Sequence, residues 1–206
     1  MMREERQEHS VFPALTRAQE ARRQRVLDAA IELGTEGGYD AVQMRDVSAR
    51  ARVALGTVYR YFTSKDHLLA AVLVSWVEQL DVRIAQVPAR GSTGSQRVLD
   101  VVERAIRAMA RQPKLVSAVF ASLVSSDPAT VTCQQRVAAL MGGIIDRAIG
   151  APELPDRAER TRVIGHVWYS LLVGWVSGRN DLTRMRDELV VALDLLLPED
   201  LAATSC

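Results

Sequence analysis

Apolar residues in this chain recur at helical rather than alternating spacing from Arg17 almost to its end. Between Arg17 and Glu36, Val26, Leu27, Ala30, Ile31 and Leu33 share one side, and Arg22, Arg23 and Arg25 start the charged side. Thr16 is placed to cap this helix, with Gln19 three residues on in the position of a capping box. Gly37-Gly38 is expected to stop it. Three helices should follow. Met44 to Ala51 is the first, Val53 opens a turn, and Ala54 to Tyr61 forms the second. Ser64 caps the third, with Asp66 in its first turn. Leu68, Leu69, Val72, Trp76, Leu80 and Ile84 carry its period to about Val87.

The run from Pro88 to Ser95, P-A-R-G-S-T-G-S, reads as a linker. A helix from about Gln96 to Arg111 has Val98, Val101, Val102, Ala105, Ile106 and Met109 as its apolar stripe, and Gln112-Pro113 ends it. Another runs from Lys114 to Ser125. Asp127-Pro128 then places Pro at a helix N1 position, opening a helix with Val137, Leu140, Met141, Ile144 and Ile145 that stops at Gly150. Two long helices, about Asp156–Arg179 and Leu182–Leu197, finish the chain, and Pro198 closes the second. With no convincing strand and no internal repeat, the expected fold is all-α with about nine helices.

Composition narrows the function classes. The 206 residues, 48% of them hydrophobic, can bury a large core in one or two domains. Leu, Val and Ala supply most of that content, which favours helix over sheet. Net charge is +1, which neither demands nor forbids nucleic acid, because binding needs only a local basic patch. Cys133 and the terminal Cys206 offer no disulfide framework and no zinc spacing, which fits a reducing cytoplasm. The opening MMREERQEHS lacks the apolar stretch of a signal peptide, and no segment approaches the roughly 18 apolar residues of a membrane span. There are no paired carboxylates in one segment, no nucleophile elbow, no phosphate loop and no histidine cluster. The expectation is a cytoplasmic protein that is not an enzyme and needs no cofactor.

Residues 37–69 carry the chemistry. Two short helices across a tight turn can lay one of them in a major groove. The first packs inward through Met44, Val47 and Ala51, and the second presents Leu55, Gly56, Thr57, Tyr59 and Arg60. Gly56 costs a helix about 1 kcal/mol relative to Ala, which fits a backbone that must approach another surface closely. From Gln43 to Lys65, Arg45, Arg50, Arg52, Arg60 and Lys65 stand against Asp46 alone, a net +4. Arg, Lys and hydroxyl side chains are phosphate donors, and Lys65 sits in a first turn whose free N–H groups also favour phosphate. Phe62 and Tyr39 read as packing residues. Tyr59 and Tyr61 are two apart and cannot share a helix face, so at least one points outward. Arg22, Arg23 and Arg25 read as a solvated face, with a minor-groove or phosphate role as the alternative.

The segment V-A-L-G-T-V-Y-R-Y-F-T-S-K-D-H-L-L closely resembles the DNA-binding signature of the TetR family of bacterial repressors. The resemblance is strongest up to about Ala70. Within that family, G-G-Y-D-A-V-Q-M-R-D-V, V-A-L-G-T-V-Y-R-Y-F and the late V-W-Y-S-L-L-V-G-W are similar to actinobacterial KstR-type repressors of steroid (cholesterol) catabolism. Residues 1–16, polar and mixed in charge, read as a flexible arm, and the resemblance implies a helix-turn-helix domain (17–63) and a helical ligand-binding and dimerisation domain (64–206). It also implies DNA contacts by Gly56 and Thr57, phosphates held by Tyr59, Tyr61 and Lys65, and a phosphate or base contact by Arg45. Ala54 departs from the pattern, since many members cap the recognition helix with Ser or Thr there.

Further along, Trp76, Met109, Phe120, Leu123, Met141, Ile144, Trp168, Leu171 and Trp175 lie on apolar stripes. They read either as ordinary core or, by the resemblance, as the lining of a pocket for a small hydrophobic effector. His166 reads as a satisfied helix residue, with a ligand-binding role as the alternative. The second half of the 156–179 helix is apolar almost all round and must be buried on two sides. With the 182–197 helix it is expected to build a homodimer interface, setting two recognition helices on half-sites about 34–36 Å apart. The expected function is a ligand-responsive repressor that binds a near-palindromic double-stranded DNA operator as a dimer. By the resemblance its effector is a steroid or steroid-CoA thioester, with a fatty acyl-CoA or another hydrophobic metabolite as the alternative. An architectural DNA-binding protein would instead require a filled C-terminal core.

Overall fold

The computed structural model describes residues 16–198, so the expected arm lies outside the described residues except for Thr16. Nine helices and no strand are found among them. Helix α1 (Arg17–Ala41) opens with the expected capping box: the Thr16 hydroxyl accepts from the Gln19 amide, and the Gln19 side chain accepts from the Thr16 amide at 2.7 Å. The expected stop at Gly37-Gly38 is corrected. Helical geometry breaks at Gly38 alone (φ 71°, ψ −155°), and a further turn reaches Ala41. Lys114 Nζ donates to the Glu36 carbonyl just before the break, taking up an acceptor that the kink frees.

Helix α2 (Met44–Ala51) and helix α3 (Leu55–Tyr61) meet across a turn in which Arg52 is left-handed (φ 53°). The turn is closed by Arg52 N donating to Ala49 O and Val53 N to Ser48 O. Helix α4 (Lys65–Gln86) is capped by Ser64, whose hydroxyl accepts from the His67 amide. Its 22 residues span roughly 33 Å. Its N-terminal half is buried nearly all round, from Leu68 to Val74.

Helix α5 (Gly94–Met109) begins two residues before the expected Gln96, because Thr93 rather than a later residue provides the cap. Helix α6 (Pro113–Ser122) takes Pro113 as its own first residue and ends three residues short of Ser125. Helix α7 (Pro128–Ile149) has the expected Asp127 cap and left-handed Gly150 end. Helix α8 (Arg157–Val176) also ends three residues early: Gly178 is left-handed (φ 74°), and Arg179 and Asn180 both donate to the Gly174 carbonyl. Helix α9 (Leu182–Leu196) follows, capped by Asp181.

Helix α6 is central. It packs on α1, α4 and α8. Leu115 presses on α1 at Gly34, where even a Cβ atom would stand 2.5 Å from the Leu115 Cδ1. The helix-turn-helix end and the C-terminal helices therefore share one continuous core. Among the described residues no helix is long and apolar enough to cross a membrane.

Candidate functional site

Helix α3 is anchored by Val58 and Phe62, both fully buried, so its other face is left for solvent. Gly56, Tyr59 and Arg60 are exposed there, with Tyr59 50% exposed. A Cβ on Gly56 would meet nothing within 4 Å, so the fold itself does not require glycine at this position. Thr57 is half-buried at the helix start, and Ala54 occupies the cap position without any side-chain hydrogen bond. Arg45, in the first turn of α2, is exposed. Two expectations need correction. Leu55 does not simply face outward but is half-buried against the core. Arg50 does not add to the basic surface: it lies 3.0 Å from both Glu32 and Glu36, which hold its charge on the α1 side.

Lys65 is positioned by Tyr39. Its ammonium donates to the Tyr39 carbonyl at 3.3 Å and lies 3.7 Å above the Tyr39 ring. The Tyr39 hydroxyl in turn donates to Asp66 at 2.6 Å. That hydrogen bond, with burial, pushes the Tyr39 pKa up to about 12. The lysine thus rests on a neutral aromatic face at the start of α4. Tyr61 behaves differently from Tyr59: its hydroxyl is enclosed and does not reach the surface.

The second site is a cavity of about 840 Å³ between α4, α5, α6, α7 and α8, inside the roughly 300–1,000 Å³ range of small-molecule sites. Trp76, Met109, Phe120, Leu123, Met141 and Trp168 line it. Three other residues expected there do not: Ile144 and Leu171 are buried in the core, and Trp175 packs against that core away from the cavity. Gly142 and Gly165 form part of the wall, and neither has anything within 4 Å of a built Cβ, so both widen the space. Phe120 and Tyr169 stack across it with centroids 6.4 Å apart, linking α6 to α8.

His166, for which the sequence left a ligand role open, lines the cavity, but the arginines of its wall were missed. Arg83, Arg104, Arg111 and Arg162 line the cavity, and no acidic residue among the described ones does. Arg104 is held by Asp100 and by the Val87 and Pro88 carbonyls. Arg111 and Arg162 have no acidic partner among the described residues. The signal was available on α8: Arg162, His166 and Tyr169 recur at helical spacing beside Trp168.

Two family models match the chain: "Bacterial regulatory proteins, tetR family" over residues 26–72, and "Tetracyclin repressor-like, C-terminal domain" over residues 91–196. The chain is 39% identical over 181 residues to the HTH-type transcriptional repressor KstR of Rhodococcus jostii, covering 87% of this chain and 84% of that one. Among solved structures, a TetR transcriptional regulator from Rhodococcus sp. RHA1 is 34% identical with a TM-score of 0.74, covering 88% of this chain and 97% of the other. Thermus thermophilus FadR, a TetR-family repressor solved with lauroyl-CoA, has the same fold at 19% identity. Its TM-score is 0.67, over 84% of this chain and 92% of its own.

Proposed function

The chain belongs to the TetR family of bacterial transcriptional regulators, and within it is of the KstR type; we propose that it is a homodimeric repressor released from its operator by the CoA thioester of a steroid acid. The family comprises DNA-binding regulators, not enzymes.

The observation that carries the effector assignment is the make-up of the cavity. Its body is apolar and bordered by Trp76, Met109, Phe120, Met141 and Trp168, which suits a rigid hydrocarbon framework. Of its four arginines only Arg104 is paired with an acid, and Arg83, Arg111 and Arg162, without one among the described residues, make the wall positive. A neutral steroid leaves those charges unused. A CoA thioester brings phosphates that guanidinium groups bind through paired N–H donors. The FadR of Thermus is similar in fold alone, but its lauroyl-CoA indicates that this fold can hold a CoA thioester.

The route from cavity to DNA runs through α4 and α6. Leu73, Trp76 and Leu80 of α4 line the cavity, while Leu68 and Leu69 of the same helix are buried nearer the DNA-reading end. Phe120 of α6 lines it too, while Leu115 presses on Gly34 of α1. An effector that binds better when these helices are displaced shifts the population away from the DNA-binding form. A change from 1:99 to 99:1 needs about 10⁴-fold preference for the displaced state.

The test uses purified protein and an operator recovered by selection from random duplexes. Steroid acyl-CoAs, the free steroid acids, fatty acyl-CoAs and CoA alone are each assayed for thermal shift and for release of labelled operator. A steroid acyl-CoA should raise the melting temperature and release the operator, and the free acid should do so far less well. Release by fatty acyl-CoA only would overturn the steroid assignment. Release by none would overturn the effector reading.

A further inference from the structure

The three arginines Arg22, Arg23 and Arg25 of α1 look alike in sequence, and the structure separates them. Arg25 Nε donates to the Ala51 carbonyl, tying α1 to the end of α2. Arg23 lies 3.8 Å from Glu20 and stacks 5.5 Å above the Phe62 ring. Arg22 has no acidic partner among the described residues, and its Nε is enclosed without a hydrogen-bond acceptor. It stands beside Tyr61, whose hydroxyl is enclosed and makes no hydrogen bond of good geometry. On the Tyr61 ring lies the Arg60 guanidinium, 5.3 Å from the centroid.

Two guanidiniums therefore flank one phenol, with no carboxylate among the described residues pairing either of them. Burial pushes the Tyr61 pKa up, yet Arg22 and Arg60 together pull it below the ordinary phenol value. The two like charges repel each other, and a shared anion removes that repulsion. Arg60 is exposed in the last turn of the recognition helix, next to Tyr59. A duplex read by that helix has its phosphates alongside.

We propose that Arg22 and Arg60, held by Tyr61, clamp one backbone phosphate of the operator, extending the DNA interface from α3 onto α1. This rests on the DNA-binding reading above. Tyr61 is then a positioning residue. Its ring, under the Arg60 guanidinium and beside Arg22, positions the two arginines by packing, and its enclosed hydroxyl does not touch DNA. The phosphate oxygens match the planar fork of a guanidinium.

Arg22→Gln should weaken operator binding roughly tenfold, as expected for one charge-assisted hydrogen bond. It should also lower the slope of log K against log salt by about 0.9 for each phosphate that is no longer neutralised. Half-site preference and melting temperature should stay unchanged. Arg22→Lys, which keeps the charge, should retain most of the slope. Arg60→Gln should act on the same phosphate, so the double variant is weakened less than the two singles combined. A folded Arg22→Gln with the parental slope overturns the clamp, and Tyr59→Phe and Lys65→Ala in parallel show whether the DNA-binding reading survives. If Arg22→Gln melts below the assay temperature, operators carrying single neutral methylphosphonate linkages decide. One linkage must then cost the parent protein at least about tenfold and cost Arg60→Gln less but not nothing, because Arg22 still holds that phosphate; a linkage that costs Arg60→Gln nothing, or the lack of any such linkage, overturns the clamp.

Discussion

Gly56 and Ala54 sit at the start of the recognition helix and weaken it for different reasons. Gly56 lacks a side chain although the fold leaves open space for one. Gly56→Ala should therefore stabilise the folded protein by about 1 kcal/mol in urea unfolding. If glycine is there to let DNA approach, the same variant binds operator more weakly, and a variant both more stable and equally tight removes that explanation. Ala54 is exposed at a cap position with no side-chain hydrogen bond. Ala54→Ser should add about 1 kcal/mol, read in the same unfolding experiment. His67 is a third case. Its Nδ1 accepts from the Thr63 amide at 3.1 Å, and its ring meets Phe62 edge-on at 5.4 Å. Burial lowers its pKa, Arg23 adds to the effect and Asp127 opposes it. The fold thus favours the neutral ring, and the unfolded chain binds the proton more readily. The stability from His67 is fully present above the ordinary value of 6.5 and is lost as pH falls through the lowered folded value. His67→Asn keeps a nearby acceptor but does not titrate, so its stability should fall less than the parent's between about pH 7 and 5. Equal decreases would show that His67 is not the group responsible.

At the scale of elements, the helices and their caps were plain in the sequence because local chemistry decides them. Thr16 with Gln19, Ser64, Asp127-Pro128 and Gly150 are all used as their residue types suggest. Element ends were less legible where a neighbour settles them, as with the Lys114 hydrogen bond beside the Gly38 break. The wall of the cavity was only partly legible. Met141 and Ile144 lie on one apolar stripe, yet only Met141 reaches the cavity. Periodicity reports which side of a helix is buried, not whether a cavity or another helix covers it. The arginines of the wall were hidden for the converse reason, since a cation at the edge of an apolar stripe looks like a solvated one. The same wall gives a direct prediction. Gly142 and Gly165 leave space that a side chain could fill. Gly165→Leu should keep operator affinity near that of the parent, shrink the cavity and abolish release by the effector, as read by anisotropy of labelled operator. Parental effector sensitivity in this variant would place the effector elsewhere. On the opposite side of α6, Gly34→Val overpacks the junction with Leu115 and should cost about 1–3 kcal/mol.

For the whole molecule, the proposal requires two copies acting together. Val191 and Leu195 of α9 are 59% and 76% exposed and one helical turn apart. Val163 of α8 is also exposed. These side chains suit burial against the same helices of a second copy. Leu195→Glu combined with Val191→Glu should shift the protein to monomer in sedimentation and weaken operator binding, because each recognition helix then reads its half-site alone. A dimer that survives both changes uses another face.

Dimer and cavity meet in a single thermodynamic requirement. If the effector releases DNA by favouring a different arrangement of α4 and α6, the coupling must be reciprocal. The most direct measurement is calorimetric titration of a steroid acyl-CoA into the free protein and into the saturated protein–operator complex. The account predicts weaker effector binding to the complex, by the same factor by which the effector weakens operator affinity. Equal effector affinity in both titrations would contradict it, because a ligand indifferent to DNA cannot release the repressor.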